Sequence, residues 1–179
     1  PVKEIFYGRM VVENAGSLLF YTKDSLMQRL LFDLKYQRNA ITGKFLGKLL
    51  ATALQQTDFI NDIDVIVPMP MHPKKERERG YNQATVIAAE IAALLDKPLD
   101  TLTVQKAVHT ETQTHKTREG RWHSMQNIFK IKDESALCGK HILLIDDVLT
   151  TGATLEVCGS EILKAPDTKL SIATAAYAL

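Results

Sequence analysis

Cysteine is scarce in this chain of 179 residues, which has only Cys138 and Cys158. Neither belongs to a Cys-x-x-Cys pair, so the sequence offers no disulfide framework and no thiolate metal site, and a reducing cytoplasm is the expected home. The histidines, His72, His109, His115, His123 and His141, form no pair at metal-ligand spacing, which argues against a histidine-built metal centre. No apolar run approaches the ~20 residues of a membrane span, and no signal-peptide pattern is expected. An excess of one charge is missing too: 22 basic residues against 21 acidic ones leave a formal net charge of +1. A chain-wide basic field for duplex nucleic acid is therefore absent, and any anion must be held by local clusters.

What is present is the composition of an ordinary globular chain, 45% apolar and 24% charged, long enough for one α/β domain with a sizeable core. Ile5–Glu13 and Ser17–Thr22, divided by Asn14-Ala15-Gly16, read as a β-hairpin. A helix follows from Ser25, with Ser25 and Gln28 as a capping box and Leu26, Leu30, Leu31 and Leu34 on one face. Its basic end, Lys35, Tyr36 and Arg38, reads as a solvated C-terminus that complements the helix dipole. Gly43–Gln56 forms a second helix, with Phe45, Leu46, Leu49, Leu50, Ala53 and Leu54 as its buried stripe. Ile63–Val67 is a strand that three prolines stop, and a helix then runs through Val86, Ala89, Ile91 and Leu94. Leu102–Val108, Ile128–Ile131 and Lys169–Ala176 complete the strands, with a helix over Ala153–Lys164 before the last. Strands alternating with helices imply a mainly parallel central sheet covered by helices on both faces. The expected division is an N-terminal hairpin-and-helix part, residues 1–60, packing on a core, residues 61–179, in a single compact unit.

The whole chain is organised around His141–Leu155, HILLIDDVLTTGATL. Ile142–Ile145 reads as a buried parallel strand, because no polar residue interrupts it. Asp146 and Asp147 follow at its carboxyl end, where open α/β sheets keep their ligand crevice. Ionised carboxylates accept only, which suits the hydroxyls of a ribose, met directly or through a hydrated Mg²⁺. Thr150, Thr151, Gly152, Ala153 and Thr154 then open a helix, whose free N–H groups and dipole favour a phosphate. One alternative is that the acids merely cap that helix. The string resembles the phosphoribosyl-pyrophosphate (PRPP) loop of type I phosphoribosyltransferases, which pairs two acids with a TTGxT turn after an apolar strand.

A second stretch, VPMPMHPKKERERGYNQA, resembles the signature of the competence-protein ComF family, also called GntX-like, in which HPxRxRxRGFNQ follows a VPVP-type strand end. Lysine at 74 or 75 replaces an arginine here, and Tyr81 the phenylalanine. The resemblance runs from about the hairpin to the final strand. It implies the type I phosphoribosyltransferase fold, with His72, Lys74, Lys75, Arg77 and Arg79 as the pyrophosphate-binding residues. It also makes the long polar stretch Thr110–Met125 the flexible loop that closes over PRPP, Gln113-Thr114 and Arg121 meeting the family pattern. Lys116 would then join the pyrophosphate site, and Arg118 and Arg121 would act beside Asp146 and Asp147 in catalysis.

The resemblance implies transfer of a phosphoribosyl group to an unknown acceptor, with Mg²⁺-dependent release of pyrophosphate. Asp146 and Asp147 would hold the ribose and the metal, the latter through water. Where purine-salvage relatives commonly have an aspartate, this chain has Thr150, which argues against that activity. The runner-up is a non-catalytic PRPP or nucleotide sensor that serves DNA uptake. A single-stranded DNA or competence-machinery partner is a third expectation, and a dimer is compatible with all of them. By that resemblance a four-cysteine zinc finger would stand ahead of the hairpin, and the residues from Pro1 onward supply none.

Overall fold

The computed structural model describes residues 2–22, 24–36, 39–107 and 128–178. Its centre is a parallel sheet of four strands in the order β1-β6-β5-β2: Asn14–Tyr21, Lys169–Ala178, His141–Leu149 and Val65–Pro68. A separate antiparallel ribbon joins β3, Val104–Lys106, to β4, Phe129–Ile131. The helices are α1 (Leu26–Tyr36), α2 (Ala40–Gln55), α3 (Pro73–Arg79), α4 (Gln83–Leu95) and α5 (Ala153–Ile162). None among the described residues is long and apolar enough to cross a membrane.

Ile142, Leu143, Leu144 and Ile145 are fully buried, because β5 is covered on both faces. Strand alternation sends Leu143 and Ile145 to a core shared with α1, α2 and α4, and Ile142 and Leu144 to a core shared with Phe6, Val104, Phe129 and α5. The strand is longer than its apolar run, continuing through the two aspartates to Leu149 with β6 as partner. On its other side β2 stops at Pro68, opposite Ile145, and only Met69 N–H reaches on, to the Ile145 carbonyl at 2.7 Å. The crevice opens in that gap between a long strand and a short one.

The N-terminal hairpin is not formed. Lys3–Phe6 is a 3₁₀ turn, and the expected turn Asn14-Ala15-Gly16 is the first part of β1, in register with Ser171, Ile172 and Ala173. Two tertiary gains outweigh local turn chemistry: the free edge of β6 accepts a whole strand, and Phe6, 1% exposed, enters the second core.

Helix α2 starts earlier than its apolar pattern, at a cap the pattern does not contain. The Asn39 carboxamide oxygen accepts from Ile41 N–H at 3.1 Å and Thr42 N–H at 3.4 Å. Its buried face is also rotated from expectation. Phe45 and Leu49 are exposed, and the buried line is Gly43, Leu46, Gly47, Leu50 and Leu54. The glycines let α2 and α4 approach closely: a Cβ at Gly47 would lie 2.8 Å from the Ile87 carbonyl oxygen, and one at Gly43 2.7 Å from Val86 Cγ1. In α1, Ser25 Oγ accepts from Gln28 N–H at 3.2 Å, and the Gln28 side chain returns to the Asp24 N–H at 2.6 Å, one residue earlier than in a reciprocal box.

At the end of the sheet away from the crevice, His141 is buried with Nε2 2.9 Å from Ser171 Oγ, while its backbone N–H donates to Asp64 Oδ2 at 2.7 Å. Burial holds the imidazole below its ordinary range; Lys169 pushes the same way and Glu13, Asp62 and Asp64 oppose.

Two outcomes follow from this packing. Gly47→Ala must displace backbone in α4, and is expected to lower stability by about 1–3 kcal/mol in urea titration, as overpacking does. His141 is preferentially neutral in the folded chain, so the unfolded chain binds more protons as pH falls through the ordinary histidine value of 6.5. Stability is therefore full above that value and declines below it. The urea midpoint should fall between about pH 7.5 and about pH 5.5, and fall less in His141→Gln.

Candidate functional site

Asp146 and Asp147 leave β5 on opposite faces, as neighbours in a strand must. Asp147 turns toward α1, where its Oδ2 lies 3.1 Å from Lys35 Nζ. Asp146 turns toward the ribbon and α5, and its Oδ1 accepts from the Asp147 N–H at 2.8 Å. Burial first, then the Asp147 charge, pushes the Asp146 carboxyl up to about 7, against the pull of the Asp147 N–H, Lys35 and Lys106. Both acids line one cavity of about 660 Å³.

The opposite wall is rich in cations, with Glu78 the one acid that α3 adds to it. The run after the prolines, which carries no periodic apolar signal, is the short helix α3. His72 caps it, with Nδ1 accepting from Lys74 N–H at 3.2 Å, Pro73 opens it, and Gly80, at φ +89°, ends it. Helical spacing brings Lys75 and Arg79, four residues apart, to the crevice with His72, while Lys74 and Arg77 are not among its lining residues. Burial pulls the Lys75 ammonium below its ordinary range, reinforced by Arg79, Lys106 and Lys35 and opposed by Asp147. Burial lowers Lys106 as well, against the raising effect of Asp146. A wall that gathers Lys75, Arg79, Lys35 and Lys106 around one crevice is suited to a polyanion.

The third wall is the turn into α5. Gly152 is its N-cap in the left-handed region, φ +76°, and no side chain caps the helix; the Thr151 hydroxyl reaches Ala153 N–H only at 3.4 Å. Thr154 lines the cavity, while Thr150, Thr151 and Ala153 are exposed on the turn. The N-terminal segment supports this turn from outside. Arg9 Nη1 donates to the Thr151 carbonyl at 2.9 Å and lies 3.5 Å from Glu156, and a Cβ on Gly152 would come within 3.0 Å of Ile5 Cγ2 and 3.1 Å of Phe6. Glycine at 152 thus serves the fold beneath as well as any ligand above.

Gly80-Tyr81-Asn82-Gln83 ties these walls together. Tyr81 Oη donates to the Leu34 carbonyl at 2.5 Å, fixing the end of α1 where Lys35 sits. Asn82 caps α4 through Ala84 N–H at 3.1 Å and donates to the Met69 carbonyl at 3.0 Å, fixing the loop after β2. Gln83 accepts from Arg79 Nη1 at 2.9 Å. Lys35 and Lys106 are the contributors that sequence reasoning passed over. Lys35 reads as a dipole-completing helix end, but it is the counter-ion of Asp147; Lys106 stands at the end of a short strand, with no motif around it. Lys116, Arg118 and Arg121, and the loop that carries them, lie outside the described residues. No cluster of three or more His, Cys, Asp or Glu disposed to hold a metal occurs among the described residues. Two acceptor-only carboxylates fit a magnesium ion that keeps most of its water, and do not fit a fully protein-ligated one.

Residues 82–178 match the family model described as phosphoribosyl transferase domain. The chain is 34% identical over 136 residues to Competence protein ComFC of Bacillus subtilis, covering 75% of this chain and 52% of that protein. It is 28% identical over 125 residues to Competence protein F of Haemophilus influenzae, covering 68% and 55%. A third relative is DNA utilization protein YhgH of Escherichia coli, 27% identical over 129 residues, with 70% and 56% covered. The chain spans about half the length of these curated relatives. Among solved structures, adenine phosphoribosyltransferase from Leishmania donovani superposes with a TM-score of 0.53 at 15% identity, over 93% of this chain and 85% of that one. Glutamine PRPP amidotransferase from Bacillus subtilis gives 0.52 at 18%, over 76% and 26%. These two likenesses show the fold. With its paired aspartates, cationic wall and open helix end in one crevice of that fold, the chain belongs to the phosphoribosyl transferase domain family, as a phosphoribosyltransferase-like protein of the ComF kind.

Proposed function

We propose that the crevice binds PRPP with Mg²⁺ and transfers its phosphoribosyl group to an acceptor. The observation that carries this reading is the joining, in one cavity, of two carboxylates, a crowded cationic wall and an uncapped helix N-terminus. Each matches one part of the ligand. The α5 N-terminus and the Thr154 side take the 5′-phosphate. Asp146 and Asp147 accept from the ribose hydroxyls, and Lys75 and Arg79 hold the diphosphate. Magnesium, when bound, neutralises charge on the leaving diphosphate.

In the transfer, the bond from ribose carbon 1 to the diphosphate oxygen breaks, a bond to the acceptor atom forms, and the acceptor's proton is released. Positive charge develops on the ring meanwhile, and the two buried carboxylates lie where they oppose it with little reorganisation. Lys35 must share Asp147 with the ribose or the metal, and Lys106 favours the ionised form of Asp146. The names of the relatives point to competence and DNA utilization, so we place this chemistry in the handling of incoming DNA. A second reading, a PRPP sensor without turnover, is favoured by one observation: the turn from Leu149 to Thr154 carries hydroxyls and no carboxylate to take the acceptor's proton.

Calorimetric titration of PRPP and Mg²⁺ tests both readings. Asp147→Asn is expected to weaken binding about 10- to 100-fold, the range for losing a hydrogen bond to a charged group. Pyrophosphate release in the presence of candidate acceptors marks a transferase, and tight binding without release marks a sensor. Absence of PRPP binding by the wild-type chain would overturn both.

A further inference from the structure

The Gln83 side chain stands out on burial and bonding. It is 1% exposed and lies in the crevice wall, at the first turn of α4. Its Oε1 accepts from Arg79 Nη1 at 2.9 Å, yet its Nε2 is buried with no hydrogen-bond partner, the only such side-chain atom among the described residues. The amide cannot be turned round to cure this, because the NH₂ would then face the guanidinium, donor against donor. Leaving a buried amide donor unpaired is costly, and the crevice wall is an unusual place to find one.

The surroundings say what the donor awaits. Gln83 is bonded to Arg79, whose guanidinium also lies over the Tyr36 ring at 5.9 Å, and Lys75 and Arg79 stand one helical turn apart on the same wall. A group that satisfies an amide N–H₂ beside these cations is an anionic oxygen. We propose that Gln83 is a binding residue of this site, its Nε2 donating to a phosphoryl oxygen of the diphosphate group that Lys75 and Arg79 hold. The bond from Arg79 to Oε1 draws charge from the amide and strengthens the Nε2 donor, so Arg79 and Gln83 act as one unit. This assignment rests on the reading of the crevice as a diphosphate site.

The test titrates inorganic pyrophosphate with Mg²⁺, and separately ribose 5-phosphate, into the wild-type chain, Gln83→Met and Gln83→Glu. Gln83→Met removes the donor at nearly constant volume and is expected to weaken pyrophosphate binding about 10-fold or more, leaving ribose 5-phosphate within about twofold. Gln83→Glu keeps an acceptor for Arg79 but replaces the donor with a carboxylate; it should fold at least as well as the wild type and lose pyrophosphate more completely. Pyrophosphate affinity unchanged in both variants would overturn the assignment and give the amide a solvent partner. Loss confined to ribose 5-phosphate, or equal for the two ligands, would overturn it also. Failure of the wild-type chain to bind pyrophosphate would instead overturn the diphosphate reading beneath it.

Discussion

Two carboxylates that follow four fully buried aliphatic residues in one strand need counter-charge, and much of the crevice is arranged to supply it. β5 carries four fully buried aliphatic residues and then, within the same strand, Asp146 and Asp147. Burial alone drives the Asp146 carboxyl toward its neutral form, and the adjacent charge adds to that. Lys35 from α1 and Lys106 from β3 approach from the two sides of the sheet, one for each face onto which the strand sends an acid. A positive centre brought close to Asp146 would act on it in the same sense as these two lysines.

The Gly80–Gln83 segment makes that arrangement rigid. Its hydrogen bonds run to three different places: the Leu34 carbonyl at the end of α1, the Met69 carbonyl after β2, and the Arg79 guanidinium on α3. The Tyr81 hydroxyl donates to a carbonyl in the last turn of α1, where helix carbonyls need partners from outside the helix. The segment therefore reads as a clasp first. Gln83 is its one member with a donor left over.

On the other side, the N-terminal segment braces the turn into α5. Phe6 and Ile5 pack beneath Gly152, and Arg9 spans from the Thr151 carbonyl to Glu156. The phosphate role we propose for this turn would gain from such bracing, because backbone N–H groups attract an anion best when they are already aligned. The same residues explain the missing hairpin: a run that buries Phe6 under this turn and then pairs along β6 is not free to fold back on itself.

The sequence by itself determined the elements whose physics is local or periodic. The unbroken apolar run before Asp146-Asp147 specified a doubly covered parallel strand, and the turn that follows specified an open helix N-terminus. The prolines bounded the end of β2, whereas α3 formed where the sequence read as a rigid loop and a charge run. Only the tertiary structure decided the rest, for reasons that no window of residues contains. Which face of α2 is buried followed from how closely α4 could approach Gly43 and Gly47, not from where its largest apolar side chains lie. Whether residues near the start pair with each other or with β6 depended on an edge more than 150 residues away in the chain. The partners of the two acids, Lys35 and Lys106, come from elements distant in sequence, brought within reach only when α1 and the ribbon settle on opposite faces of the sheet. Charge pairing acts through space over a few ångströms, so it becomes legible only once the chain has folded.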